Sequence, residues 1–424
     1  MNKTLLSLTL FSAFAFTGTS QTIIDTVSVG AGYSNQKWYS LQNDEQGTQP
    51  KDNWDIAFEI SGTAASILAN VQKANYAVYR APYSVAQYST LDTAGISTWP
   101  MLYNSDTTWS GGAFNRGAVL SNAFDLGWGV YNLSTHIVTG DSCFVIKLSA
   151  TSYKKIKIVD LNGGVYNFEY SNIDGTNSQV QSIAKSNYTG KNFAYFDLTN
   201  NVALDREPAT ATWDLTFVKY MSFVPAGGGT YTPYGVTGVL SNKGVTVAQA
   251  NDVASPVSYN NWASHTFNTA INEIGYDWKE INMSTFAWDI KMDTVYFVKA
   301  KTGDIWKLRF TKFSGSTAGN FILSKEKLST VGIQDLKGNV SQVSLYPNPS
   351  TGSTTTLLFA TETELSNVSV SISDMTGRLV SSESISVKAG LNQFQLNTAS
   401  LNNGIYFIQL NAGTNTSTQK LIKQ

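Results

Sequence analysis

Short runs of alternating apolar and polar residues recur along this chain, and they restrict what it can fold into. Trp306-Lys307-Leu308-Arg309-Phe310 and Val368-Ser369-Val370-Ser371-Ile372 place an apolar side chain at every second position. Successive side chains of a strand point to opposite faces, so such a run buries one face and wets the other. A helix needs apolar residues every three or four positions, and that period is nearly absent. Turn signals punctuate the runs: Asn162-Gly163-Gly164, Asp174-Gly175, Gly227-Gly228-Gly229 and Asn403-Gly404. The chain reads as all-β.

The strands also repeat in order. Trp54-Asp55-Ile56-Ala57-Phe58 returns as Trp213-Asp214-Leu215-Thr216-Phe217. An aromatic strand precedes each, Trp38-Tyr39-Ser40-Leu41 and Tyr195-Phe196-Asp197-Leu198. Asn132-Leu133-Ser134-Thr135 returns as Asn282-Met283-Ser284-Thr285, and Asp141 to Gly163 aligns without a gap on Asp293 to Gly315. Four blocks in the same order predict two tandem homologous β-domains, 21–178 and 179–330. In this alignment His136 falls opposite Phe286 and Leu133 opposite Met283, which predicts packing positions there.

Composition excludes several classes of function. Charged residues make up 14% of the 424 positions and the net charge is −1, so there is no basic footprint for nucleic acid. One Cys excludes an intrachain disulfide framework, and two His leave few general bases. No nucleophile elbow, phosphate-binding loop, His-Glu-x-x-His or calcium loop occurs, so the chain is not read as an enzyme. Cys143 is expected to be a small buried hydrophobe. Asp55 and Asp214 are expected to accept hydrogen bonds from neighbouring strands or loops. Lys154, Lys155 and Lys157 are expected on the solvated face of a strand.

The N-terminus carries an address. Met1-Asn2-Lys3 is positive, Leu5 to Phe16 is an apolar run, and Gly18-Thr19-Ser20 supplies small residues. This is the plan of a signal peptide, 1–20, too short to span a bilayer. No later run suits a transmembrane segment. A polar linker is expected at 331–344. The Ser-, Thr- and Asn-rich segment 345–424 suits a small Ig-like β-sandwich.

That last segment resembles the type A C-terminal sorting domain of the type IX secretion system. Tyr346-Pro347-Asn348-Pro349 with Gly352 resembles its opening motif, and Asp374-Met375-Thr376-Gly377-Arg378-Leu379-Val380 its central turn. Leu401-Asn402-Asn403-Gly404-Ile405-Tyr406 resembles its later hairpin, and Lys420-Leu421-Ile422-Lys423 its tail. The resemblance implies Sec and type IX secretion machinery as partners. It places the product outside the cell, released or attached to the outer surface of a Gram-negative outer membrane.

The duplicated region resembles the HmuY family of secreted haem-binding proteins. The aromatic strand, the Trp-Asp strand and the late pair Tyr296-Phe297-Val298-Lys299 and Lys307-Leu308-Arg309-Phe310 carry the resemblance. It implies haem, or another flat apolar ligand. Haem iron takes His, Met, Cys or Tyr as axial ligands. Met101 and His136 lie between the matched blocks of the first copy, and they are the candidate pair. His265, Met283 and Met292 lie between those of the second. The alternative is a surface adhesin, a glycan- or protein-binding β-module with no cofactor that stacks sugars on exposed aromatics.

Overall fold

The computed structural model describes residues 22–329, 340–361, 363–412 and 415–424. The expected signal peptide and most of the expected linker lie outside them. The protein is all-β, as its alternation requires. Among the described residues the longest helical segment is the six-residue 3-10 turn Val85–Thr90, and no helix is long and apolar enough to cross a membrane.

Two large sheets share one plan. In the first, Gln179–Ala184, Val165–Asn172, Tyr153–Asn162, Ser142–Lys147 and Ala77–Ser84 lie side by side, with Met101–Leu102 beyond the last. In the second the order is Ile23–Ser28, Asn320–Ser329, Ile305–Phe313, Val295–Lys299 and Thr246–Ala250. The matched late blocks form equivalent antiparallel pairs, with Ile146 opposite Lys154 and Val298 opposite Trp306. The edge strand of each sheet, however, comes from the other half of the chain.

Two smaller sheets repeat this exchange. Tyr195 lies opposite Ala57, and Tyr39 lies opposite Leu215. The aromatic strand of each copy therefore pairs with the Trp-Asp strand of the other. The cores follow the strands. One runs from Ile56 to Leu198, and the other joins Val27, Tyr39 and Leu41 to residues from Leu215 to Leu323. The expected division at 178/179 runs between blocks of sequence but not between cores. Like segments bury like side chains in either partner, so an exchange of identical elements costs little, and block order alone does not reveal it.

Each exchanged strand is fastened by an aspartate. Asp55 accepts the Leu198 N–H through Oδ2 at 2.8 Å and donates its own N–H to the Phe196 carbonyl at 2.9 Å. Asp214 does the same for Leu41 and Tyr39, both at 2.8 Å. Both carboxylates are buried. Burial raises the Asp55 carboxyl above its ordinary range, while the paired Lys73 ammonium opposes it. Beside each aspartate an asparagine bridges backbones: Asn70 Nδ2 donates to the Trp54 carbonyl at 2.9 Å, and Asn242 Nδ2 to that of Trp213 at 2.7 Å.

Where the chain passes between cores, buried Arg206 ties the passing segments together. Its guanidinium donates to Gln36 Oε1 at 2.8 Å, the Pro50 carbonyl at 3.0 Å and Asn53 Oδ1 at 3.1 Å. It lies 4.8 Å from the Tyr195 ring centre and 5.2 Å from that of Trp38.

The C-terminal strands form their own sandwich. Val340–Tyr346, Thr354–Thr361 and Gly390–Asn397 make one sheet, and Leu379–Val387, Leu365–Asp374, Gly404–Ala412 and Asn415–Lys423 make the other. Leu357, Phe359, Val370, Ile372, Ile408 and Leu410 fill the space between them.

Candidate functional site

The hairpin of Gly129–Asn132 and Ile137–Gly140 turns on an Asn-x-Ser-Thr sequence. Asn132 Oδ1 accepts the N–H groups of Ser134 at 2.8 Å and Thr135 at 3.2 Å, and its carbonyl accepts that of His136 at 2.8 Å. These bonds hold His136 in the left-handed region, φ 58°. The second copy builds the same turn: Asn282 holds Ser284, Thr285 and Phe286, the last at φ 54°. The residues expected to pack here are instead exposed, Leu133, His136, Met283 and Phe286 alike. They crown a hairpin tip, and a tip has no neighbouring sheet to bury it.

His136 lines a cavity of about 610 Å³ walled by Phe124, Leu126, Val138 and Leu161, with Lys185 at its border. That volume lies within the range of small-molecule pockets, about 300–1,000 Å³. Tyr131 Oη lies 2.7 Å from His136 Nδ1. With Nδ1–H donating to the phenol oxygen, Nε2 carries the ring's lone pair and is free to bind a ligand. The sequence identified His136 but missed Tyr131, although it lies five residues upstream on the same hairpin. The walls come from three separate segments, and nothing in the sequence pattern joins them.

Met101 is not part of this pocket. It faces Tyr79 across the sheet, level with Val145 and Lys155, while the His136 hairpin joins the same sheet at Asp160 and Leu161. At about 3.3 Å per residue, the two side chains stand roughly 25 Å apart along the strands, beyond any shared ligand. Met101 is exposed, and its sulfur accepts a hydrogen bond from Tyr103 Oη at 3.1 Å. In the second copy, His265 Nε2 lies 2.8 Å from Tyr259 Oη and its ring packs 5.7 Å from that of Phe297. Met283 and Met292 are exposed. Among the described residues no three His, Cys, Asp or Glu side chains gather as a metal site.

Lys155 departs from expectation. It is buried, not solvated, and its ammonium donates to the carbonyls of Ser89 and Leu91. Lys307, its counterpart, is also buried and donates to the Val257 carbonyl and Asn260 Oδ1. A long loop covers this sheet face in each copy, and the lysine satisfies its carbonyls. Cys143 is buried, and burial pushes its thiol up to about 11, so it stays protonated at neutral pH.

In the C-terminal sandwich, the Tyr346-Pro347-Asn348-Pro349 segment docks on the last strand. Asn348 Nδ2 donates to the Lys420 carbonyl at 2.6 Å, and Asn348 Oδ1 accepts the Ile422 N–H at 2.9 Å. Ser350 N–H then donates to the Ile422 carbonyl at 2.8 Å. The first and last of the expected sorting motifs thus form one surface. Asp374 organises the central turn: it accepts from the Thr376 hydroxyl at 2.6 Å and from Arg378 Nε at 3.0 Å, while Gly377 adopts φ 83°. These donors hold its carboxyl down to about 2. Gly404 opens its strand, and Tyr406 Oη donates to the Asn402 carbonyl at 3.1 Å.

Residues 344–424 match the family model for a secretion system C-terminal sorting domain. The C-terminal sandwich is a secretion sorting domain. The chain that carries it is secreted or held at the outer surface of the cell. Residues 189–323 match the family model for HmuY protein. That match runs from the aromatic strand to the last strand of the second sheet and stops before the sorting domain. Comparison with curated proteins gives no match. Among solved structures, dimeric latent PorU from Porphyromonas gingivalis is similar over 94% of this chain and 34% of its own, at 10% identity and a TM-score of 0.18. So low a score carries no argument about architecture or function.

Proposed function

We propose that the region ahead of the sorting domain is a secreted, HmuY-like binding protein, not an enzyme, and that its ligand site is the His136 pocket. The observation that carries this reading is an imidazole fixed by Tyr131 at the border of an apolar cavity of ligand size. The residues fit haem with a single protein axial ligand. His136 Nε2 would hold the iron, Phe124, Leu126, Val138 and Leu161 would flank the apolar ring, and Lys185 could pair with an acidic edge group. Bound haem would supply an iron centre held through His136. Titrating the secreted chain with haem should give a saturable Soret shift at one equivalent. No shift in either redox state would sink the reading.

A second reading, sugar stacking, is favoured by the long hairpin of Leu215–Gly227 and Thr230–Ser241. Tyr231, Tyr234 and Phe223 are exposed there, whereas none of the ten Trp is. A glycan array on which Tyr231→Ala and the parent give the same blank result would remove it.

A further inference from the structure

A second cavity, of about 600 Å³, opens where the two cores meet. Lys185 and Lys191 reach it from the exchanged segment that packs in the first core, and Lys243 and Lys301 from beside the second core. No carboxylate lines it. In a chain of 29 basic and 30 acidic residues, four ammonium groups on one cavity form a concentrated charge.

These lysines differ from freely moving surface lysines. Each is only part-exposed and is held in place by hydrogen bonds. Lys185 Nζ donates to the Gly62 carbonyl at 3.1 Å and to that of Ala64 at 2.5 Å. Lys301 Nζ donates to the Lys243 carbonyl at 2.7 Å. Lys243 bridges buried Glu59 and Ser61 Oγ, and Lys191 pairs with Asp205 at 3.1 Å and bonds the Glu207 carbonyl. An ammonium has three donors, so each of the four keeps at least one N–H for a ligand. Glu59 and Asp205 pair with two of the ammonium groups; Lys185 and Lys301 donate their hydrogen bonds to neutral carbonyls. Burial lowers the Lys185 pKa, opposed by the charge of Glu59 and aided to a lesser degree by that of Lys243.

The geometry points to a binding site for a compact solute carrying two or more phosphate groups, such as a phosphorylated saccharide. Phosphate suits the site because its charge is spread over several oxygens that separate lysine point charges can share. The hydroxyls of Ser186, Thr189 and Thr210 line the same cavity and would serve the uncharged part of the ligand.

Calorimetric titration of the full secreted chain with inositol hexakisphosphate tests this, with inorganic phosphate as the single-group probe. Saturable binding of the hexakisphosphate at one site, weakened by salt and much tighter than that of phosphate, is expected. The double variant Lys191→Met/Lys301→Met should weaken it by at least about tenfold, the scale of one lost charge-assisted bond. Lys301→Arg should retain binding, which separates loss of charge from misfolding. His136→Ala should leave it unchanged, so failure of the haem reading and failure of this one are distinguishable. Absence of saturable binding, or equal loss in a control variant of exposed Lys291 and Lys312, would overturn the proposal.

Discussion

The carboxylate of Asp214 accepts the backbone N–H of Leu41 at 2.8 Å, across 173 residues of sequence. The same carboxylate accepts the Lys301 N–H at 2.8 Å through its other oxygen. One side chain thus joins the first strands of the chain to the turn between Val295–Lys299 and Ile305–Phe313 of the core they complete. In Asp214→Ala both N–H groups lose their acceptor. At about 1–3 kcal/mol for each unsatisfied buried group, the cost should be roughly 2–6 kcal/mol in urea unfolding. A loss under about 0.5 kcal/mol, the usual effect of a surface substitution, would show that this contact does not hold the strand.

The exchange of strands predicts how fragments behave. Residues 179–330 contain a complete copy by sequence but lack the strands Ile23–Ser28, Asn35–Ser40 and Asp44–Pro50 that complete their core. This fragment alone should not melt cooperatively as a monomer. Adding a peptide of residues 22–50 should restore a cooperative transition. A monomeric fragment with a sharp melt and no response to the peptide would contradict the exchange.

Much of this was legible in the sequence, and the limits have physical causes. Alternation in Trp306 to Phe310 identified strands because a half-buried sheet demands it. The matched blocks identified the equivalent aspartates and the His136 turn because both copies keep the same pattern there, although only the turn rests on local hydrogen bonds. Partner choice was not legible: the strand of Tyr39 has the same apolar pattern facing either Trp-Asp strand, so the strands alone do not say which core they join. Lys155 was misread because its surroundings are set by a loop some 65 residues upstream, not by its own strand. Met101 and His136 were paired on residue chemistry alone, and the register of the sheet separates them.

Glu207 should make stability fall as pH rises. It is buried and accepts the Asn192 and Phe193 N–H groups and the Tyr195 hydroxyl, yet desolvation pushes its carboxyl up to about 7. Between about pH 4.5 and 7 the native state therefore holds a proton that the unfolded chain has lost. Its contribution is full below about 4.5 and gone above about 7, on the order of 3 kcal/mol in all. Glu207→Gln, neutral at every pH, should flatten that decline in thermal melts. A parallel slope in both proteins would assign it to other groups.

The two candidate haem ligands should separate cleanly. His136→Ala should abolish the Soret shift or weaken it by at least about tenfold, whereas Met101→Ala should leave it unchanged, being some 25 Å away along the sheet. Tyr131→Phe should have a smaller effect, because it keeps the ring but releases His136 Nδ1. Equal losses in the Met101 and His136 variants would contradict the register of this sheet.

The sorting domain allows recognition to be separated from folding. Asn348 makes two bonds to the last strand, to the Lys420 carbonyl and the Ile422 N–H, so it belongs to the fold. Tyr346 is 74% exposed, so its ring contributes little to the fold and is available to a partner. Asn348→Ala should destabilise the isolated sandwich by about 1–3 kcal/mol, at roughly 0.5–1.5 per bond. Tyr346→Ala should leave its melting unchanged. Both should leave protein in the periplasm, as should deletion of 340–424, which removes no strand from either of the two large cores. Fractionation of cells expressing each variant, beside the melting curve of each purified domain, decides the matter. If Tyr346→Ala is exported as well as the parent, the machinery does not read that ring. If Asn348→Ala is exported normally despite a weakened sandwich, the docking of the opening motif on the last strand is not what the machinery requires.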